Sequence, residues 1–222
     1  MGINIAIDGP SGAGKSTLAR KLAEKLNYIY VDTGALYRTV GLFVRRREID
    51  PADVELVSSV LSDLTVSLRF INGEQHVFLN DEDVSADIRV HEISQYASLV
   101  SAIPAVRKYL FNTQQKMAQS NDVIMDGRDI GTVVLPNADV KIFLTASAEV
   151  RAERRYKELL ERGQNVDYET VLKDVIARDE QDMNREIAPL KPADDSIVVD
   201  TSGLSFDESL SLLYKTVIER LS

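Results

Sequence analysis

Gly9-Pro10-Ser11-Gly12-Ala13-Gly14-Lys15-Ser16 decides how the rest of this chain is read. The stretch satisfies the pattern G-x-x-x-x-G-K-[ST] at every fixed position. Ahead of it, Ile3-Asn4-Ile5-Ala6-Ile7 reads as a short strand. Behind it, Thr17-Leu18-Ala19-Arg20-Lys21-Leu22-Ala23-Glu24-Lys25-Leu26 is apolar at helical spacing. Strand, glycine-rich turn and helix form the context in which this pattern becomes a phosphate site. Gly9, Gly12 and Gly14 let the backbone curl so that successive N–H groups point inward, and the helix N-terminus adds partial positive charge. Lys15 can reach β- and γ-phosphates, and the Ser16 hydroxyl can ligate Mg²⁺. The expectation is a nucleoside triphosphate with Mg²⁺, cradled by Gly9, Pro10, Ser11, Gly12, Ala13, Gly14, Lys15, Ser16 and Thr17.

With 222 residues the chain can bury a full core. It has no cysteine, which excludes disulfides and thiolate metal sites and suits a reducing compartment. The N-terminal apolar run is too short and lacks the basic flank of a signal peptide, and no segment has the length of a membrane span. A cytoplasmic protein with no membrane association is expected. The formal net charge of −9 argues against nucleic acid as a partner, since duplex binding usually needs a basic footprint. Arginines must therefore be concentrated locally if the chain handles phosphates.

Strand and helix patterns alternate along most of the sequence. Strands are expected at 28–31, 122–126, 138–144 and 196–200. Helices are expected from the turn after Asp32 to about Arg47, from Pro51 and Asp53 onward, from about Glu92, up to about Arg162, and from Tyr168 to Ile187. Pro104 suits a first helical turn, and Ser205-Phe206-Asp207-Glu208 fits a capping box. Such alternation implies a parallel sheet covered on both faces. One segment breaks the pattern. Leu64 to Ile71 alternates at period two, Asn72-Gly73 is a hairpin signal, and Gln75 to Leu79 reads as the returning strand. A further strand is expected at Asp83-Val84-Ser85. The reading is an α/β core at 1–63 and 91–222 with a small antiparallel insertion at 64–90.

Several stretches place charge where open α/β sheets bind ligands, at the carboxyl ends of strands. In Asp32-Thr33-Gly34-Ala35-Leu36-Tyr37-Arg38, Arg38 can hold an anion and Thr33 can approach a sugar or phosphate. An N-cap followed by an ordinary helix arginine would give the same letters. In Asp126-Gly127-Arg128-Asp129 the acidic residue can contact Mg²⁺ through water and the arginine can clamp phosphate, or the four can form a solvated turn. Arg151, Arg154, Arg155 and Arg162 share one helix side, where like charges repel; phosphates closing on that side would offset the repulsion, as nearby glutamates would on a solvated surface. Arg178, Asp182 and Arg185 share a stripe beside the apolar one of Val171, Leu172 and Val175, as a cleft rim or as an ion-pair ladder. Arg45-Arg46-Arg47 ends a helix, where basic residues suit the dipole. His76 and His91 have no nucleophile partner in sequence.

Together these stretches resemble the bacterial cytidylate kinases, P-loop nucleoside monophosphate kinases. The resemblance runs through Ile7 to Ser16, Asp32 to Arg38, Asp126-Gly127-Arg128-Asp129-Ile130-Gly131-Thr132-Val133-Val134, Arg178 to Arg185 and Ala188-Pro189-Leu190, and so spans essentially the whole chain. It implies a five-stranded parallel sheet with helices on both faces, a monophosphate-binding insertion near 64–90 and a short lid at about 151–167. It implies transfer of a phosphoryl group from ATP–Mg²⁺ to CMP or dCMP by a monomer. By the same resemblance Arg38, Arg128 and Arg185 hold the acceptor phosphate. Ser98, Arg107 and Asp129 read cytosine, Arg178 and Asp182 hold the ribose, and Thr33 and Tyr37 belong to the same acceptor set. Thr33 stands where many members carry Ser, which keeps the hydroxyl. Lys15, Arg128, Arg151, Arg154 and Arg155 are the catalytic candidates.

A kinase for another monophosphate or a small hydroxyl metabolite remains open at this point. So does a nucleotide-dependent switch, although the guanine-reading N-K-x-D pattern is absent.

Overall fold

A computed structural model describes residues 2–71, 74–119, 121–161 and 163–222 of the chain, and the side chains of Phe70 and Glu74 lie outside that description. The chain forms two compact units, Met1–Tyr30 with Asn121–Ser222, and Val31–Ser120.

In the first unit β1 (Asn4–Asp8) leads through the glycine-rich turn into α1 (Lys15–Leu26), and then to β2 (Ile29–Asp32), which carries the chain into the second unit. After the second unit come β6 (Val123–Gly127), β7 (Val140–Thr145), α6 (Ala148–Glu161), α7 (Tyr168–Asn184), β8 (Ile197–Asp200) and α8 (Phe206–Leu221). The five-stranded sheet has the order β2-β6-β1-β7-β8. β1 pairs in parallel with β6 on one side and β7 on the other, so its side chains face packing on both faces of the sheet. Four of its five residues are buried, as a central parallel strand requires. Ile5, Ile7, Ile124, Ile142 and Leu144 pack with Leu18 and Leu22 of α1 and Leu213 and Val217 of α8. Helix starts are fixed by side chains: Asp167 caps α7, and Ser205 with Glu208 closes the expected capping box on α8, a cap contributing about 1 kcal/mol.

The second unit runs α2 (Thr33–Arg46), α3 (Val54–Ser59), β3 (Val66–Ile71), β4 (Glu74–Leu79), β5 (Glu82–Asp83), α4 (His91–Val100) and α5 (Pro104–Gln119). Its sheet is antiparallel, in the order β3-β4-β5. Leu36, Val40 and Phe43 of α2 share a core with Ile93, Val100, Leu110, Val66, Val77 and Leu79. The Arg45-Arg46-Arg47 run does more than meet a helix dipole. Arg45 pairs with Glu92, Arg46 with Glu82 and Asp87, and Arg47 with Asp63, so the end of α2 ties four separate segments of the unit together.

Most boundaries move by one or two residues, and three differences have a local cause. The third antiparallel strand is Glu82–Asp83 and stops before Val84, because the Ser85 hydroxyl accepts the Val77 N–H at 2.9 Å and takes the place of a ladder partner. The helix opening near Pro51 begins at Val54, with Asp53 as its cap, and ends at Ser59 before a 3₁₀ turn at Leu61–Asp63. α7 ends at Asn184 rather than Ile187. Arg185 is already extended, and Ala188, ahead of Pro189, has φ of 50°, a left-handed backbone that cannot continue the helix. The Asn72-Gly73 hairpin signal and Arg162 lie outside the described residues.

Candidate functional site

The register of β1 against β6 places Asp8 opposite Gly127. The glycine-rich turn and the segment Arg128-Asp129 therefore leave neighbouring strands at the same end of the sheet. Gly9 has φ of 146°, and a Cβ there would sit 1.9 Å from the Leu144 carbonyl oxygen of β7, so only glycine lets the turn start so close to the sheet. Lys15 is buried, and its Nζ donates to the Pro10 carbonyl at 2.7 Å across the turn. Burial, and next the Arg128 guanidinium, push its ammonium down to about 7. This is a costly place for a cation with no phosphate beside it.

Ser16 Oγ donates to Asp126 Oδ2 at 2.8 Å, while Tyr30 Oη donates to Asp126 Oδ1 at 3.0 Å. A hydroxyl and a carboxylate are hard oxygen donors. Mg²⁺ sites typically take one or two such protein ligands and leave the rest to phosphate and water, so this pair fits that ion. Among the described residues no group of three or more His, Cys, Asp or Glu is arranged to hold a metal.

Beyond β6 the positive side chains converge. Arg128 Nε donates to Asp182 Oδ2 at 2.8 Å. Arg185 lies 3.8 Å from Asp129 and 3.9 Å from Asp182, with both partners of each pair nearly buried. Burial pushes the Asp182 carboxyl up, but the charge and hydrogen bond of Arg128, with the charges of Arg178 and Arg185, outweigh it and hold the group below its usual value. Arg128, Arg178 and Arg185 thus gather around Asp182, with Asp126 and Asp179 also acting on Arg128, and guanidiniums so placed can take a phosphate.

The helix α6 brings its arginines to different ends. Arg151 is buried: Nε donates to Ala146 O at 2.8 Å, and Nη1 donates to Ser11 O at 3.1 Å and to Asp179 Oδ1 at 3.0 Å. Arg154 reaches the Ala13 and Thr201 carbonyls at 3.4 and 3.3 Å. Arg155 instead meets Glu158 on its own helix at 3.3 Å. Arg151 and Arg154 thus touch the glycine-rich turn itself, which their shared helix side alone did not establish.

The second unit holds the remaining expected residues. Asp32 caps α2 by accepting the Ala35 N–H, and its other oxygen accepts from Arg38 Nη2 at 2.8 Å. Arg38 Nε is buried with no hydrogen-bond partner. Thr33 is buried at the start of α2. The Arg107 guanidinium lies 5.8 Å from the Tyr37 ring centroid and donates to Ser101 O at 3.2 Å. Ser98 O accepts from the Ser101 hydroxyl at 2.8 Å, so Ser98 and Arg107 are linked through Ser101.

Sequence reasoning did not single out Tyr30 or Gln75, whose side chains hold Asp126 and the Asp32 N–H, or Asp8, whose carboxylate accepts the Ile130 and Gly131 N–H groups. Gln75 of β4 accepts the Asp32 N–H at 3.0 Å and so steadies the residue that holds Arg38. A tyrosine at the third position of an apolar strand was the one available signal for Tyr30, because a buried hydroxyl needs a partner.

A family model for cytidylate kinase matches residues 5–219. A cytidylate kinase of Caldicellulosiruptor bescii is 52% identical over 97% of this chain and 97% of its own length. That of Leuconostoc mesenteroides is 47% identical over 98% and 97%. Among solved structures, an uncharacterized protein from Eubacterium ventriosum superposes with a TM-score of 0.53 at 16% identity, covering 97% of this chain and 98% of that one. A shikimate kinase from Bacteroides thetaiotaomicron gives 0.50 at 13% identity, covering 99% and 98%. At such identities these two speak for the fold alone.

Proposed function

The chain belongs to the cytidylate kinase family, and on that premise we propose how its residues divide the work of phosphorylating CMP and dCMP with ATP. The glycine-rich turn from Gly9 to Thr17 takes the ATP phosphates, with Lys15 at the oxygens between which charge moves. Ser16, backed by Asp126, holds Mg²⁺, which neutralises phosphate charge when bound. Arg38, Arg128 and Arg185 take the acceptor phosphate. Arg178 and Asp182 take the ribose, and Ser98, Arg107 and Asp129 the cytosine, with Thr33 and Tyr37 in support. Arg151, Arg154 and Arg155 belong to a lid at about 151–167, and the strands at 64–90 belong to the monophosphate-binding insertion.

The observation that supports this reading is the register of β1 and β6, which sets the glycine-rich turn and the Arg128–Asp182 pair at one end of the sheet. A monophosphate is already an anionic nucleophile at neutral pH, so the reaction needs no general base. It needs two polyanions held in line, positive charge where the transferring oxygens lie, and exclusion of water. Lys15 and the guanidiniums supply the charge. Their burial makes each interaction stronger than it would be in solvent. On this reading the enzyme acts as a monomer in the cytoplasm, in keeping with its lack of cysteine and with the absence, among the described residues, of any helix long and apolar enough to cross a membrane.

The test is coupled ADP release with CMP, dCMP, UMP, AMP and GMP in turn, together with single variants of Arg38, Arg128 and Asp182. CMP and dCMP should be the preferred acceptors, and each variant should weaken their use. Preference for AMP or GMP would overturn the acceptor assignment, and parental CMP kinetics in all three variants would overturn the residue assignment.

A further inference from the structure

Asp8 is the last residue of β1, immediately before the glycine-rich turn, and it is buried. Its carboxylate oxygens are taken up by the segment that follows β6. One accepts the N–H of Ile130 and the other the N–H of Gly131, each at 2.7 Å. These N–H groups open the π-helical turn Ile130–Val134, the segment that follows Arg128 and Asp129. The approach is close: a Cβ on Gly131 would come within 3.3 Å of Asp8 Oδ2 and 3.2 Å of the Lys141 side chain. Lys141 fastens the other end of the same segment by donating to the Pro136 carbonyl at 2.6 Å, its charge matched by Asp195 at 2.8 Å. The segment carrying Arg128 and Asp129 is therefore pinned at its start by a buried carboxylate and at its end by a buried ammonium.

We propose that Asp8 is a positioning residue for phosphoryl transfer, fixing the acceptor-binding segment Arg128–Asp129 against the strand that launches the donor-binding turn. The inference rests on the assignment of Arg128 and Asp129 to the acceptor. Asp8 touches neither substrate; it sets the distance between the groups that do. Burial pushes its carboxyl up to about 6, opposed by the two backbone hydrogen bonds and with the charges of Asp129 and Lys15 acting in opposite senses. A stabilising residue at this place would avoid that penalty, whereas a positioning one gains from two strong, short acceptors that hold a turn rigidly.

Asp8→Asn keeps the shape but turns an N–H donor toward one of the two backbone donors. We expect kcat/KM for CMP to fall by roughly 10²-fold, as displacements near 1 Å can cost. ATP affinity without CMP should stay within about threefold, and the melting temperature should change little, because loss of the buried charge is set against a backbone donor left facing a donor. Gly131→Ala, which leaves the charge intact and crowds the same contact, should show the same split, and it carries the test if Asp8→Asn does not fold. Arg128→Ala is measured beside them. CMP use within about threefold of parent in the Asp8 or Gly131 variants, with Arg128→Ala impaired, would overturn the inference alone. So would ATP affinity falling as far as CMP use, or activity lost only in step with a lower melting temperature. Parental CMP kinetics in Arg128→Ala would overturn the acceptor assignment and the inference together.

Discussion

The hydroxyl of Ser16 and the carboxylate of Asp126 meet at 2.8 Å although 110 residues separate them. The second Asp126 oxygen is held by Tyr30 at 3.0 Å, and the Arg20 guanidinium lies over the Tyr30 ring. The carboxylate is thus oriented before any nucleotide arrives. Tyr30→Phe deletes the hydrogen bond to Asp126 and keeps the ring beneath Arg20. We expect about 1 kcal/mol lower stability and about a tenfold higher Mg²⁺ requirement, since groups behind a metal site orient its ligands. Titrating Mg²⁺ at saturating ATP and CMP, alongside a denaturant melt, checks both. An unchanged Mg²⁺ midpoint would separate Tyr30 from the metal.

Lys15 sits where a charge is penalised in the absence of phosphate. Its folded pKa of about 7 lies below the ordinary 10.5. Between those values the unfolded chain binds a proton that the folded chain has shed, so stability rises with pH across that window. The nucleotide-free protein should therefore gain stability from pH 7 upward, and Lys15→Ala should lack that gain while being more stable than the parent at pH 7. The same variant should lose ~10²–10³ in kcat, as removal of a preorganised donor does. Melts at neutral and alkaline pH, with kcat at pH 7, test the two halves independently.

Much of this site was legible in the sequence because its parts lie at strand ends and glycine-rich turns, where chemistry and local structure share one signature. Gly9 to Ser16 and Asp126 to Asp129 needed no tertiary information to be singled out. What spacing could not show was partnership across the chain. The carboxylate of Asp8 and its acceptance of the Gly131 N–H are 123 residues apart, and Gln75 reaches Asp32 from the antiparallel sheet. Helical spacing put Arg151, Arg154 and Arg155 on one side, yet it could not distinguish a buried arginine from one pairing with its own helix. The turn Ile130–Val134 is rich in β-branched residues, which favour strands. It becomes helical because Asp8 captures its first N–H groups.

Gly34 stands in the first turn of α2, where an added Cβ would lie 3.1 Å from both Arg38 Nη1 and Asp32 Oδ1. Asp32 is fixed by its capping bond and by Gln75, so the long arginine must give way. Gly34→Ala should leave stability within about 1 kcal/mol of parent, because the gain from restricting the unfolded chain is set against the close contact with the fixed Asp32 carboxylate. It should also lower kcat/KM for CMP about tenfold by displacing a guanidinium whose geometry matters. A near-parental melt with impaired acceptor kinetics would identify Arg38 placement as the cause; equal acceptor use would show that Arg38 is not needed in this position.

Arg151 and Arg154 look alike in sequence and differ in what their loss leaves behind. Arg151 pairs with Asp179 at side-chain exposures of 5% and 15%, so Arg151→Ala strands a nearly buried carboxylate, a defect that typically costs about 3–5 kcal/mol. Among the described residues Arg154 has only long bonds to two carbonyls, which a phosphate oxygen would outcompete through its charge. Arg154→Ala should therefore leave stability within about 0.5 kcal/mol of parent while lowering kcat with little change in CMP affinity, the pattern of a contact made in the transition state. Arg151→Ala should lower stability first. The double variant Arg151→Ala with Asp179→Ala then separates its roles, because removing the stranded carboxylate should recover much of the lost stability. If kcat recovers with it, Arg151 acts by holding α6, α7 and the Ser11 carbonyl together. If stability returns and kcat stays low, its guanidinium also reaches the transferring phosphate.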